Sequence, residues 1–487
     1  MRKSINRLVL LYICFYCTLP LAKTLEVNIA NSSCSDNHGQ PFCHINSAVK
    51  FANADDIINI ANGRYVETIF IDKNLKLIGN GRQKTVIDGG RESSVIVIAP
   101  GIRSQFKSLA IQNGYADKGG GILNHGSLLL DNVQVSHNWA EFSGGGIYNA
   151  SSISGSLYIK NSMIEHNQAL GDDKHNIKYG GGGIYNDSPL SIENTTLQFN
   201  QAVDNGGGLY SIHTGRRKSS DGEIIAEKLG INAAKKRVRS LRRIKDRGSV
   251  TIKNSYIQNN YADAGGGINI HGVLNIVSSF ISDNHATNGF RSAGGGIFVH
   301  FDTNLNLSNV MIGFNKATFR GGGVRFYTVG KGSFSNVSII DNEVIKDFGQ
   351  GAGIFIIKGE KALEIQNTLI ARNYINGRIV GDCYGAFQSL GNNYFSSVKS
   401  CTGFDSKRDI HEIIDGVDHL YQWDVVQGRY KALSTSLINE AGDSTGCKND
   451  KGFKLVKDIY GNKRHIDSNG DGTARCDIGA IEYIPKL

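Results

Sequence analysis

The sequence predicts an all-β solenoid, a parallel β-helix with about 22–30 residues per rung. Three observations predict it. A glycine phrase, clearest as Gly144-Gly145-Gly146-Ile147-Tyr148, recurs from Gly119, Gly181, Gly206, Gly265, Gly294, Gly321 and, altered, from Gly351-Ala352-Gly353. Two polar columns follow each phrase, six residues apart in all eight copies. An aliphatic residue stands three places before the second column every time.

Composition agrees with a folded repeat. Glycine supplies 60 of 487 residues without a collagen period, and 40% of the chain is apolar against 20% charged, enough for a core. Residues 1–22 read as a secretory signal. Arg2, Lys3 and Arg7 precede a short apolar run, which ends at Pro20-Leu21-Ala22. No later stretch is long and apolar enough to span a membrane as a helix. Outside the signal stand Cys34, Cys43, Cys383, Cys401, Cys447 and Cys476. An even number in an exported chain reads as disulfides, and six cysteines allow 15 pairings. The locally closed set, 34–43, 383–401 and 447–476, is the expectation. Of the net charge of +9, residues 215–248 carry +8 and the signal +3, leaving −2 for the rest. The chain is near neutral with one basic insertion.

Residues 23–56 form an N-terminal cap, in which Ile45 to Ala52 carries the apolar spacing of a short helix. Short β-rich runs follow at 57–60, 68–71, 75–78, 86–87, 95–98 and 106–111, separated by turn signals such as Asn62-Gly63. No helix-length segment lies between them. A coil of rungs meets that condition, because each strand's parallel neighbour is one turn later.

From 57 to 375 the coil is expected. The first polar column is Asn132, Asn161, Asn194, Asn254, Ser278, Asn309, Asn336 and Asn367; the second is Asn138, Asn167, Asn200, Asn260, Asn284, Asn315, Asn342 and Asn373. Stacked at about 4.8 Å, such columns form amide ladders and accept left-handed corners. The glycines allow the turn that closes each rung. Residues 171–179 and 215–248 interrupt the period. Residues 376–487, with four cysteines, read as a C-terminal cap.

Cys43-His44-Ile45-Asn46-Ser47-Ala48-Val49 resembles the entry segment of exported bacterial proteins named for a Cys-Ser-Leu-Arg-Glu-Ala-Ile motif. The Gly-Gly-Gly-Ile phrase with its aliphatic-x-x-Asn partner resembles the polymorphic outer-membrane protein repeat. The tail, from Ile438-Asn439-Glu440-Ala441-Gly442-Asp443 to Cys476-Asp477-Ile478-Gly479-Ala480-Ile481-Glu482-Tyr483, is similar to the end of bacterial β-helix proteins of the choice-of-anchor kind. These resemblances imply a right-handed parallel β-helix, secreted or held on the extracellular face of a bacterial outer membrane.

Candidate sites are few. Stacking explains the asparagine columns. Tyr148, Tyr185, Tyr210 and Phe298 could form a sugar-binding stripe, although a corner or inward stack explains them better. His137 and His166 share one slot in adjacent rungs, without an evident third ligand for a metal. Asp467, Asn469 and Asp471 match the first half of a calcium loop, but Ile478 occupies the place of its last glutamate. Calcium is the one cofactor indicated. Arg237, Arg239, Arg242, Arg243, Lys245 and Arg247 could contact an acidic polymer. Acids of the coil do not recur in a column beside Lys or Arg, as a lyase or hydrolase site would invite. The expected role is therefore adhesion to a surface glycan or a host or matrix protein. The alternative is a polysaccharide lyase or glycoside hydrolase acting on an acidic or host-surface glycan.

Overall fold

The computed structural model describes residues 22–485 apart from 38–40, 151–154, 172–179, 213–248, 288, 290–291, 302, 328–329, 358–362, 412–419, 425–428 and 450. The signal up to residue 21, most of the first insertion and the whole basic insertion, with its five named arginines and one lysine, lie outside the described residues.

The chain is a right-handed parallel β-helix. One rung runs through Ile122–Asn124, Ser127–Asp131, Gln134–Ser136 and Trp139–Ser143, and Ile147–Asn149 opens the next. Ile122 pairs in parallel with Ile147, Ile147 with Ile184, and Ile184 with Leu209. The insertions leave this register intact: Leu209 pairs with Ile268 across residues 213–248. The N-terminal helix Ile45–Phe51 buries Ile45, Ala48 and Val49 in the same core. Its first two backbone N–H groups donate to the Glu67 carboxylate at 2.8 and 2.9 Å. The strand Gly63–Val66 starts inside the stretch read as a turn.

Each glycine of the phrase has its own cause. The first is left-handed in all eight copies, with φ between 55 and 73°. The second and third lie against neighbouring backbone. A Cβ on Gly145 would stand 2.4 Å from the Gln168 carbonyl oxygen, and one on Gly146 2.6 Å from that of Gly183. The altered copy accepts Ala352 where Gly381 leaves room beside its methyl group.

The two polar columns divide their work. The first takes the left-handed corner at every copy, Asn132 to Asn367. The second is buried and forms the ladder. Asn138 Nδ2 donates to Asn167 Oδ1 at 2.9 Å, Asn167 to Asn200, Asn200 to Asn260, and so on to Asn373. The ladder ends on Asp382, whose Oδ1 accepts from Asn373 Nδ2 at 2.9 Å. Burial pushes the Asp382 carboxyl up to about 6, against four donors that favour its charge. A second left-handed corner per rung falls on the slot before each ladder asparagine, from His137 to Arg372.

The region after 375 is more than an end cap. Cys383–Ala386, Gln388–Ser389 and Tyr394–Phe395 continue the rungs. The described residues from 420 to 485 then fold back along the outer face of the coil. Leu420, Tyr421, Tyr430, Ile438, Ile459, Ile478 and Ile481 pack on Met311, Ile340, Leu369, Ala371 and Tyr394 of the rungs. First-column asparagines serve as attachment points: Asn336 Nδ2 donates to the Lys448 carbonyl at 3.1 Å, and Asn367 Oδ1 accepts the Asp443 N–H at 2.9 Å. Arg464 is fully buried, ion-paired with Glu482 at 3.0 Å and donating to Asn309 Oδ1 at 2.6 Å. Disulfides join Cys34 to Cys43, Cys383 to Cys401 and Cys447 to Cys476.

Asn260→Ala removes the acceptor of two Asn200 N–H groups and an Nδ2 amide that lies in bonding reach of three acceptors. Each orphaned buried group costs about 1–3 kcal/mol. Amide hydrogen exchange in the rungs around 195–200 and 280–284 is expected to accelerate at least tenfold. Arg464→Ala strands a buried carboxylate and is expected to cost about 3–5 kcal/mol. Limited proteolysis should then cut first between residues 440 and 480.

Candidate functional site

Two outward columns define the candidate site. Strand alternation sends the residues flanking each core aliphatic to the outer face. On the earlier rungs one column holds Gln134, Met163, Thr196 and Tyr256; the other holds Glu165, Gln198 and Gln258. The left-handed slot beside them holds His137, His166 and Phe199. His137 and His166 stack at 5.1 Å, and His166 on Phe199 at 5.0 Å.

The polar members form a chain of their own. Gln134 Nε2 donates to Glu165 Oε1 at 2.8 Å, and Gln198 Nε2 to Glu165 Oε2 at 2.7 Å. Gln258 Nε2 donates to Gln198 Oε1 at 3.0 Å. The amides thus fix the carboxylate of Glu165 between two rungs. Phe199 and Tyr256 keep 43% and 45% of their surfaces open. Tyr256 stacks on Phe280 at 4.9 Å, and Tyr460 of the fold-back leans on Phe280 at 5.4 Å. The strip therefore runs across about four rungs, exposed at His137, His166, Phe199 and Tyr256 and buried at Glu165, and stops at a wall.

Beyond the strip, on the adjoining sheet, charged groups gather. Lys316 Nζ meets Glu343 at 3.0 Å, and His285 stacks on Tyr261 at 4.8 Å. Burial raises the Asp283 carboxyl and lowers the His285 imidazole, which Lys316 lowers further.

The sequence candidates fall as follows. Tyr148, Tyr210 and Phe298 are buried, Tyr148 with 8% of its surface left, and Tyr148 stacks on Tyr185 at 4.5 Å. They form a covered stack, unlike the exposed rings of the strip above. Asp467, Asn469 and Asp471 lie together in one turn: Asp467 accepts the N–H groups of Gly470 and Gly472 at 2.7 and 2.9 Å. Oxygens of Glu440, Asp467 and Asp471 all lie within 4.8 Å of one another. Sequence reasoning missed Glu440, which lies outside the loop pattern. Cys447, Cys476 and Glu482 also converge, but the disulfide removes both sulfurs as ligands.

No family model and no curated protein matches the sequence. Solved structures do resemble the coil. Pectate lyase Pel9A is 13% identical with a TM-score of 0.47, covering 96% of this chain and 98% of its own. A pectin methylesterase from carrot is 10% identical with a TM-score of 0.25, covering 81% and 86%. The pectin methylesterase PemA from Erwinia chrysanthemi is 14% identical with a TM-score of 0.22, covering 81% and 93%. These similarities are too remote to carry an activity or a substrate to this chain.

Burial and the neighbouring His166 hold His137 below the ordinary histidine value. Its neutral form is the one the folded state favours, so its contribution to stability is lost as pH falls through the lowered value. Long-range proton–nitrogen spectra should show His137 titrating below about 6.5. His166→Asn should move that midpoint upward.

Proposed function

We propose that the protein is an exported, non-catalytic adhesion protein that holds an extended glycan along the outer strip from His137 to Tyr256. The observation that carries this is the pairing of open aromatic faces with a fixed amide–carboxylate row. Sugar rings present apolar C–H faces that pack on aromatic rings, and hydroxyl groups that pair with amides and carboxylates. Phe199 and Tyr256 supply the first kind of contact and Gln198 and Gln258 the second, with the buried Glu165 carboxylate holding the Gln198 amide in place. The Glu165 carboxylate is occupied as an acceptor by its two glutamines. The ligand lies outside the cell in this reading, on a neighbouring surface or matrix.

A second reading rests on Lys316, Glu343, Asp283 and His285. A lysine beside carboxylates is the equipment of a lyase acting on an acidic glycan, with Lys316 or His285 as the base.

Glycan-array binding tests the first reading. Tyr256→Ala and Phe199→Ala are each expected to weaken binding about tenfold, since a packed ring contributes up to about 1.5 kcal/mol beyond its area. Wild-type affinity in both variants would overturn it. Incubation with uronic-acid polymers separates the second reading. New unsaturated chain ends, lost in Lys316→Ala, would replace adhesion with cleavage.

A further inference from the structure

We propose that Glu440 completes a calcium site with Asp467, Asn469 and Asp471, and that the bound ion fastens the fold-back to itself. This inference is independent of the glycan strip.

The loop Asp467-Ser468-Asn469-Gly470-Asp471-Gly472 supplies oxygens at alternate positions, with Gly470 and Gly472 both left-handed at φ 78 and 85°. Such a half-loop lacks the bidentate glutamate that ordinarily closes the coordination sphere. Its place in sequence holds Ile478, which is buried in the fold-back core. Glu440 comes from a separate segment, and its carboxylate meets those of Asp467 and Asp471 within 4.8 Å.

The state of Glu440 points to a cation independently of the loop. It is 7% exposed. Oε1 accepts the backbone N–H groups of Ser468 and, at 2.9 Å, Asn469. Oε2 is sealed from solvent and has no hydrogen-bond donor among the described residues. A buried carboxylate oxygen without a donor is costly beside two more carboxylates, and a divalent cation removes both penalties at once. Asp477 Oδ1 accepts the Glu440 N–H at 2.6 Å, which fixes the backbone from which the side chain reaches the loop.

Three carboxylates and an amide oxygen, in a loop with glycine turns, match a hard cation with flexible oxygen coordination. Calcium fits that description better than magnesium, which demands a near-ideal octahedron and keeps several waters. The ion would join residues 440 and 467–471, neighbours in sequence of Cys447 and Cys476, which a disulfide already joins.

The test uses the full mature chain after chelator treatment. Terbium luminescence is titrated, and calcium and magnesium are then added as competitors. We expect one saturable site per chain, calcium displacement at about 0.1–1 mM as in extracellular modules, and no displacement by magnesium at equal concentration. Glu440→Gln should weaken binding at least tenfold while circular dichroism and the disulfides stay as in the wild type. If Glu440→Gln fails to fold, the exposed Asp471→Asn is expected to give the same loss. No saturable binding by the folded chain at 10-fold higher calcium, equal displacement by magnesium, or wild-type affinity in the folded Glu440→Gln or Asp471→Asn protein would overturn the proposal.

Discussion

A buried primary amide brings two N–H groups and an oxygen with two lone pairs, and all need partners. Asn200 shows how the coil meets that demand. Its Nδ2 donates to the Ile164 carbonyl of the previous rung and to Asn260 Oδ1 of the next, while its Oδ1 accepts the backbone and side-chain N–H groups of Asn167. Each residue is satisfied only if the rungs before and after it stand in register. The ladder therefore fixes the register of the whole coil, and a slipped rung would orphan several buried groups together. It also has a direction, since every bond from one ladder amide to another is donated to the following rung. Such a chain can end cleanly only on a group that accepts and does not donate. Asp382 is that group, and its burial is the cost of the ending.

Register, once fixed, gives the outer face its plan. The columns that hold Gln134, Glu165, Gln198 and Gln258 on early rungs continue, residue for residue, into Met311, Ile340, Leu369 and Ala371 on later ones. Their interior neighbours do not change character; on the outward side Met311, Ile340, Leu369 and Ala371 are apolar, and Ser338 between them bonds the fold-back. That change marks where the fold-back lies. Burying those side chains contributes roughly 1.5–3 kcal/mol for each large one, and the asparagines of the left-handed corner then bond the fold-back's backbone instead of one another. One set of columns thus provides an open surface at one end and a docking surface at the other.

The coil was legible because its causes are local and repeat. Left-handed turns ask for glycine or asparagine, and a stacked core asks for aliphatics at fixed offsets. Both demands write themselves into the sequence eight times. The division of labour between the two polar columns was not legible, since asparagine suits a left-handed corner and a buried ladder equally. The positive φ at Phe199 and Arg372 was invisible for the opposite reason: those residues carry no mark of a strained backbone. The fold-back left a signal in the outward columns, but it shows only when they are read separately from the core. Glu440 left none, because its partners lie about thirty residues away and meet it only through the tertiary fold.

The candidate sites concentrate where the repeat relaxes. Inside the coil every position answers to a neighbour one rung away, so a substitution for chemistry there disturbs at least two rungs. Outward positions carry no ladder amide, and their identities vary from Gln to Tyr along one column. The strip and the fold-back share this freedom and also share a border. Tyr460 rests on Phe280, and Phe280 on Tyr256. The wall that ends the open surface is thus the edge of the domain that stabilises the later rungs. A fold-back held less firmly would lengthen the exposed columns with Met311 and Leu369, replacing a bounded polar and aromatic strip with an apolar one. Keeping that border fixed is what the buried Arg464–Glu482 pair and the Cys447–Cys476 disulfide do mechanically, and it is why the surface beyond Tyr256 does not extend.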